Sequence, residues 1–184
     1  FSFLDLLRKS RPGKPINGAI VAISIADLVS ATDAQIEEYS KTIRDRLDEL
    51  SKRLELIFPV YLLFTKCDLL QGFIEFFEDF GKNERSQAWG VTLKYTGNPG
   101  RPYEEIFLEE TTALAHQLRD RRVGYLGTER PVKKKQNVYL FPLQFEMAQK
   151  RLSEFIGQLF RPNPFQESAI LRGFYFSSGT QKGT

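Results

Sequence analysis

The stretch of this sequence best equipped for a specific chemical task is Thr65-Lys66-Cys67-Asp68. A carboxylate at the fourth position can accept two parallel hydrogen bonds, one from a ring N1–H and one from an exocyclic amine, which is the edge a guanine presents. The lysine stem can lie flat over a purine ring, and the first residue can tie the turn to a neighbouring strand. A turn of the form [Asn/Thr]-Lys-x-Asp does this in nucleotide-base pockets, and the same residues also fit an ordinary capping turn after a strand. A second stretch, Phe174-Tyr175-Phe176-Ser177-Ser178-Gly179, has the form of a strand followed by a [Ser/Thr]-[Ala/Ser]-x turn whose backbone N–H groups can serve a purine carbonyl. Its plainer reading is an edge strand of a separate subdomain. The candidate base-binding residues are therefore Thr65, Lys66, Asp68, Ser177 and Ser178.

The rest of nucleotide chemistry is missing from these residues. No Gly-x-x-x-x-Gly-Lys-[Ser/Thr] occurs among them, so they carry no phosphate cradle and no hydroxyl for Mg²⁺. The fragment is expected to hold no cofactor and to hydrolyse no nucleotide. A single cysteine, Cys67, excludes an intrachain disulfide and a multi-cysteine zinc site, and it lacks a histidine neighbour that would make it a nucleophile. A single histidine, His116, rules out a His-rich metal centre and sits on a helical pattern where a structural role suffices.

The elements that must position the two turns follow from periodicity. Ile16 to Ile25 is an apolar, β-branched run of the kind expected for a strand buried on both faces. Thr32 or Asp33 is a good N-cap. After it Ile36, Tyr39, Ile43, Leu47, Leu50, Leu54 and Ile57 recur at three- and four-residue intervals among charged residues, one apolar stripe on a charged cylinder. Pro59 precedes a second buried strand, Val60 to Phe64. Strand, charged helix, strand is a βαβ unit, which implies a parallel sheet whose ligands sit beyond the carboxyl ends of its strands, where Thr65–Asp68 falls.

Flanking these, residues 3–9 read as a helix broken by Arg11-Pro12-Gly13-Lys14-Pro15, and Gly72 to Phe80 as a short aromatic helix. A short strand is expected near Val91–Tyr95, a helix from about Glu104 to Arg122, a loop over Gly124–Lys135, a helix from about Pro142 to Phe160, and a last strand over Leu171–Phe176. If Ser177 and Ser178 join the first turn, the chain leaves the sheet near Gly100 and returns near Gly173. The expected division is 1–100 as the downstream half of an α/β domain, 101–165 as a helical insertion or extension, and 166–184 as return strand and tail.

Of the 184 residues, 41% are hydrophobic and 27% charged, a globular balance that sets aside collagen-like and wholly disordered chains. No segment approaches the ~18–20 apolar residues of a membrane span. The net charge of +3 is too small to indicate nucleic acid, but it is unevenly placed. Between Arg119 and Lys135 stand Arg119, Arg121, Arg122, Arg130, Lys133, Lys134 and Lys135, opposed by Asp120 and Glu129. Such a cluster can meet acidic lipid, nucleic acid or an acidic partner, and it also fits a solvated turn. Only Tyr125 interleaves it, which argues against a single-strand stacking surface. The opening Phe-Ser-Phe-Leu, without an initiator Met, reads as part of something longer.

Several segments together resemble one family: Leu4-Asp5-Leu6-Leu7-Arg8-Lys9 with Arg11-Pro12, Pro15-Ile16-Asn17-Gly18, Phe58-Pro59-Val60-Tyr61, Thr65-Lys66-Cys67-Asp68-Leu69 with Gly72-Phe73 and Phe76-Phe77, and Leu171-Arg172-Gly173-Phe174-Tyr175-Phe176-Ser177-Ser178-Gly179-Thr180-Gln181. In that order they resemble the cytoplasmic domain of the TssM/IcmF family of bacterial type VI secretion. The resemblance implies a partial P-loop NTPase-like, G-domain-like three-layer α/β fold with a parallel sheet and helical additions, its phosphate-binding half lying upstream of Phe1. It implies a parent protein in the inner membrane with this segment on the cytoplasmic face. The implied partners are TssL and TssJ, baseplate components and further copies in the membrane complex, with no nucleic acid. The implied role is a docking scaffold or, as the alternative, a GTPase or ATPase using Mg²⁺ in the intact protein.

Overall fold

Ser24 shows how local chemistry sets the first boundary. Its hydroxyl accepts the Asp27 N–H at 3.3 Å, ending a strand and capping a helix at the same residue. In the computed structural model, which describes residues 3–78, 80–81, 88–94, 100–127, 129, 131–162 and 169–179, strand β1 is Ala19–Ser24 and passes directly into helix α2, Ile25–Ser30. Helix α1, Phe3–Ser10, precedes them, and helix α3, Asp33–Leu54, follows. A reciprocal capping box opens α3: the Gln35 N–H donates to Thr32 Oγ1 at 3.3 Å and the Thr32 N–H donates to Gln35 Oε1 at 2.8 Å. Glu55, in the left-handed region at φ 50°, ends it.

Strand β2, Pro59–Thr65, pairs in parallel with β1 in the register Ala19 opposite Val60 to Ser24 opposite Thr65. A 3₁₀ turn, Cys67–Leu69, and helix α4, Phe73–Phe77, come next. Strand β3, Trp89–Thr92, is followed by two long helices, α5, Tyr103–Leu126, and α6, Val132–Leu159, and by strand β4, Ile170–Phe176. The sheet order is β1-β2-β4-β3. β2 and β4 are parallel, and β3 runs antiparallel to β4 at the edge.

Both crossovers, β1 to β2 and β2 to β4, step the same way across the sheet. Right-handed connections then deliver their helices to the same face. α3 accordingly packs on α6, with Ser40 Oγ donating to the Phe155 carbonyl at 3.4 Å and Arg44 Nε to the Leu159 carbonyl at 3.2 Å. The core lies between that helical layer and one side of the strands: Val60, Leu62, Phe64, Leu171, Phe174 and Phe176 are buried against Phe107 of α5 and Phe145 of α6. Aromatic rings dominate, with Phe107 4.7 Å from Phe174 and Phe145 5.2 Å from Phe176. Gly72, at φ +86°, brings α4 onto α6 so closely that a Cβ would lie within 2.1 Å of the Asn137 carbonyl oxygen.

Several expectations are corrected. The first two strands are not buried on both faces: Ile20 is 72% exposed and Ala22 is exposed, because no described element covers that side. The described residues form two layers, not three, and the sheet is mixed rather than parallel because β3 is reversed. Ile25 belongs to a helix. The expected loop over 124–135 ends early, since α6 begins at Val132 and runs straight through Pro142. Pro142 has no N–H to give the Val138 carbonyl, and burial of Val138, Phe141, Pro142 and Phe145 offsets a cost of ~3 kcal/mol. Tyr39 and Ile57 lie outside the core, both exposed. The short strand is displaced to residues 89–92; Tyr95, its expected end, lies outside the described residues, as do Arg130 and Thr180.

Candidate functional site

The two turns nominated from sequence meet. β2 and β4 are adjacent and parallel, so their carboxyl ends lie side by side, with Phe64 opposite Phe176. Beyond that pair the backbones interlock. The Ser177 N–H donates to the Phe64 carbonyl at 2.8 Å, and the Cys67 N–H donates to the Ser177 carbonyl at 3.0 Å. The Gly179 N–H donates to Asp68 Oδ1 at 3.3 Å. Thr65 closes β2, half-buried. Lys66 is exposed and takes the left-handed conformation at φ 59°, which lets the chain turn off the strand at once. That conformation costs on the order of 1 kcal/mol for a residue with a Cβ. The bonds from Ser177 and Gly179 hold it in place.

Asp68 sits in the middle of the 3₁₀ turn Cys67–Leu69, half-buried. Part of its accepting capacity is spent on Gly179, and a carboxylate has two oxygens, so capacity remains. Ser177 and Ser178 are half-buried beside it. Cys67 is fully buried beneath the turn, its thiol donating to the Phe64 carbonyl at 3.4 Å. Burial pushes that thiol up to about 12, with the nearby Asp68 charge adding to the rise and the Ser177 backbone opposing it. A thiol held neutral in this way is no nucleophile at physiological pH.

Two contributors stand outside the five candidate base-binding residues. Gly179 supplies the N–H that engages Asp68. Ser24 ends β1 opposite Thr65, so three parallel strands finish at one level. Its signal was present as Ser24-Ile25-Ala26-Asp27, a Ser-x-x-acid capping pattern. No group of three or more His, Cys, Asp or Glu able to hold a metal occurs among the described residues. His116 is exposed on α5. A shallow recess of about 620 Å³ opens elsewhere, between Gln71 and the first turns of α6, and no nominated residue lines it.

A family model, the IcmF-related N-terminal domain, matches residues 1–184. The chain belongs to the IcmF-related family. Type VI secretion system component TssM1 of Pseudomonas aeruginosa is 41% identical over 183 residues, covering 99% of this chain and 17% of that relative. This IcmF-related chain thus spans about a sixth of the relative's length. No solved structure matches it. No helix among the described residues is long and apolar enough to cross a membrane.

Proposed function

We propose that this IcmF-related chain is a scaffold on the cytoplasmic side of the type VI secretion membrane complex. It would dock TssL, share that complex with TssJ and further copies of itself, and receive baseplate components. The observation that supports it best is the interlock at the strand ends. The two turns brace each other backbone to backbone, through Ser177 on Phe64 and Cys67 on Ser177, without needing the Asp68 side chain. Turns bonded to each other make a stiff corner, which suits a part whose task is to hold position.

A second reading rests on the same place in the fold. Thr65, Lys66, Asp68, Ser177 and Ser178 gather beyond the carboxyl ends of parallel strands, where ligands of open α/β sheets bind. In that reading the intact protein has a P-loop NTPase-like domain, binds GTP or ATP with Mg²⁺, and couples hydrolysis to assembly. An Asp68→Ala substitution in the full-length protein separates the two. The scaffold reading expects secretion close to wild type and unchanged co-purification of TssL. Lost secretion with TssL still bound would favour the nucleotide reading. Failure of the folded wild-type protein to capture TssL would sink the scaffold.

A further inference from the structure

The positive charge of this chain is gathered at one end of the α5–α6 hairpin. Seven Lys and Arg lie in residues 119–135 against Asp120 and Glu129, a surplus larger than the net +3 of the whole chain, so the remainder is net negative. Antiparallel packing folds that run back on itself. Arg119 pairs with Glu146 at 2.6 Å, and the Arg122 guanidinium stacks over the Tyr139 ring at 4.6 Å.

α6 turns an apolar line outward along the same surface. Val132, Tyr139, Leu143 and Met147 are spaced seven, four and four residues apart and return to one side of the helix. All four are exposed, Val132 by 73% and Met147 by 69%. The line is roughly 22 Å long at 1.5 Å per residue. Lys133 and Lys135 flank it, one on each side, and neither side chain has an ion-pair or hydrogen-bond partner among the described residues. Lys134, by contrast, turns to the packed side and pairs with Glu78 at 2.9 Å. The recess of about 620 Å³, bordered by Val132, Lys133, Lys135 and Tyr139, adds concave ground between the two lysines.

An apolar line with an interfacial aromatic and basic flanks is the pattern of a helix that lies in a bilayer interface. The aliphatic residues settle among the headgroups, and the lysine stems follow them while the ammonium groups reach lipid phosphates. The basic side chains on both sides of the apolar line favour an anionic bilayer over an uncharged partner helix. Tyr125, the one aromatic within the cluster, stacks edge-on to Phe76 at 5.2 Å and offers little face to a base. We propose that the outward side of α6, with the basic end of the hairpin, seats this chain on an anionic lipid bilayer.

Flotation of the 184-residue chain with vesicles tests this. One set is phosphatidylcholine alone, and the other carries roughly a third phosphatidylglycerol. Binding is expected only to the anionic set, falling steeply between about 0.05 and 0.3 M salt. The double variant Lys133→Glu with Lys135→Glu should lower the apparent partition coefficient by at least on the order of 30-fold. Val132→Ser with Met147→Ser should lower it at unchanged charge, and far-UV circular dichroism with thermal melts checks that each variant is folded. Three results overturn the proposal: no flotation of the folded wild type, equal flotation on neutral vesicles, or no effect of the Val132/Met147 pair. Equally tight binding to duplex DNA or to polyglutamate at matched salt would also overturn it, assigning the surface to nucleic acid or to an acidic protein.

Discussion

One sheet has two faces with similar residues and opposite fates. On the helical side Val60, Leu62, Phe64, Phe174 and Phe176 are sealed under α5 and α6. On the other side Ile20 and Ala22 are exposed, while Tyr61, Leu63 and Tyr175 are half-buried. Tyr175 there bonds to the Thr92 hydroxyl across the β3–β4 pair. Strand composition is apolar on both sides, so composition did not decide burial. The helices did, because both crossovers lead to the same face.

The largest break in that contrast is Phe64→Ala. It removes a fully buried ring that contacts Phe107 and Phe176, and it should cost about 3–5 kcal/mol in chemical denaturation. A cost under about 1 kcal/mol would mean the helical layer is loosely packed.

The neutral Cys67 thiol under the same layer makes stability fall at high pH. Its folded value of about 12 lies above its ordinary 9.0, so the unfolded chain loses that proton first. The contribution is complete below about pH 9 and is lost as pH rises toward about 12. Cys67→Ala should show a flatter decline over that window in matched denaturation series, and identical slopes would refute it.

Gly72→Ala should cost about 2–3 kcal/mol, since a Cβ would collide with the Asn137 backbone and φ is positive. Loss of α4 docking would be read as faster amide exchange over Phe73–Phe77. Thr32→Ala removes one half of the α3 capping box and should cost about 1 kcal/mol. The smallest effect belongs to the open face. Ile20→Ala should change stability by no more than about 0.5 kcal/mol in this chain, and a cost near that of Phe64→Ala would show the face to be covered.

Where local signals were strong, the sequence was readable. The three-and-four spacing from Ile36 and a cap at Thr32 or Asp33 located α3 and its start, because an amphipathic helix states both its axis and its buried side, while the stripe read on to Ile57, three residues past the helix end. The strand before Thr65 and the strand before Ser177 were also legible, and their adjacency followed from reading the two turns as partners. The helix from Ile25 was hidden because a β-branched run masked the Ser24 cap. The early start of α6 was hidden because Pro142 reads as a helix breaker, whereas its missing N–H costs little beside the aromatic residues it helps to bury. The reversed direction of β3 depends on partners more than eighty residues away, which no local pattern reports.

Sequence alone determined the long amphipathic helix α3, the strands before Thr65 and Ser177, which residue types could read a base, and where the charge lies. Each is settled by neighbours within one or two turns of chain. Tertiary structure decided that Asp68 binds Gly179, that one sheet face is open, and that Val132, Tyr139, Leu143 and Met147 face outward. Those outcomes depend on which surface each crossover delivers a helix to, and that is set by contacts between residues far apart in the chain.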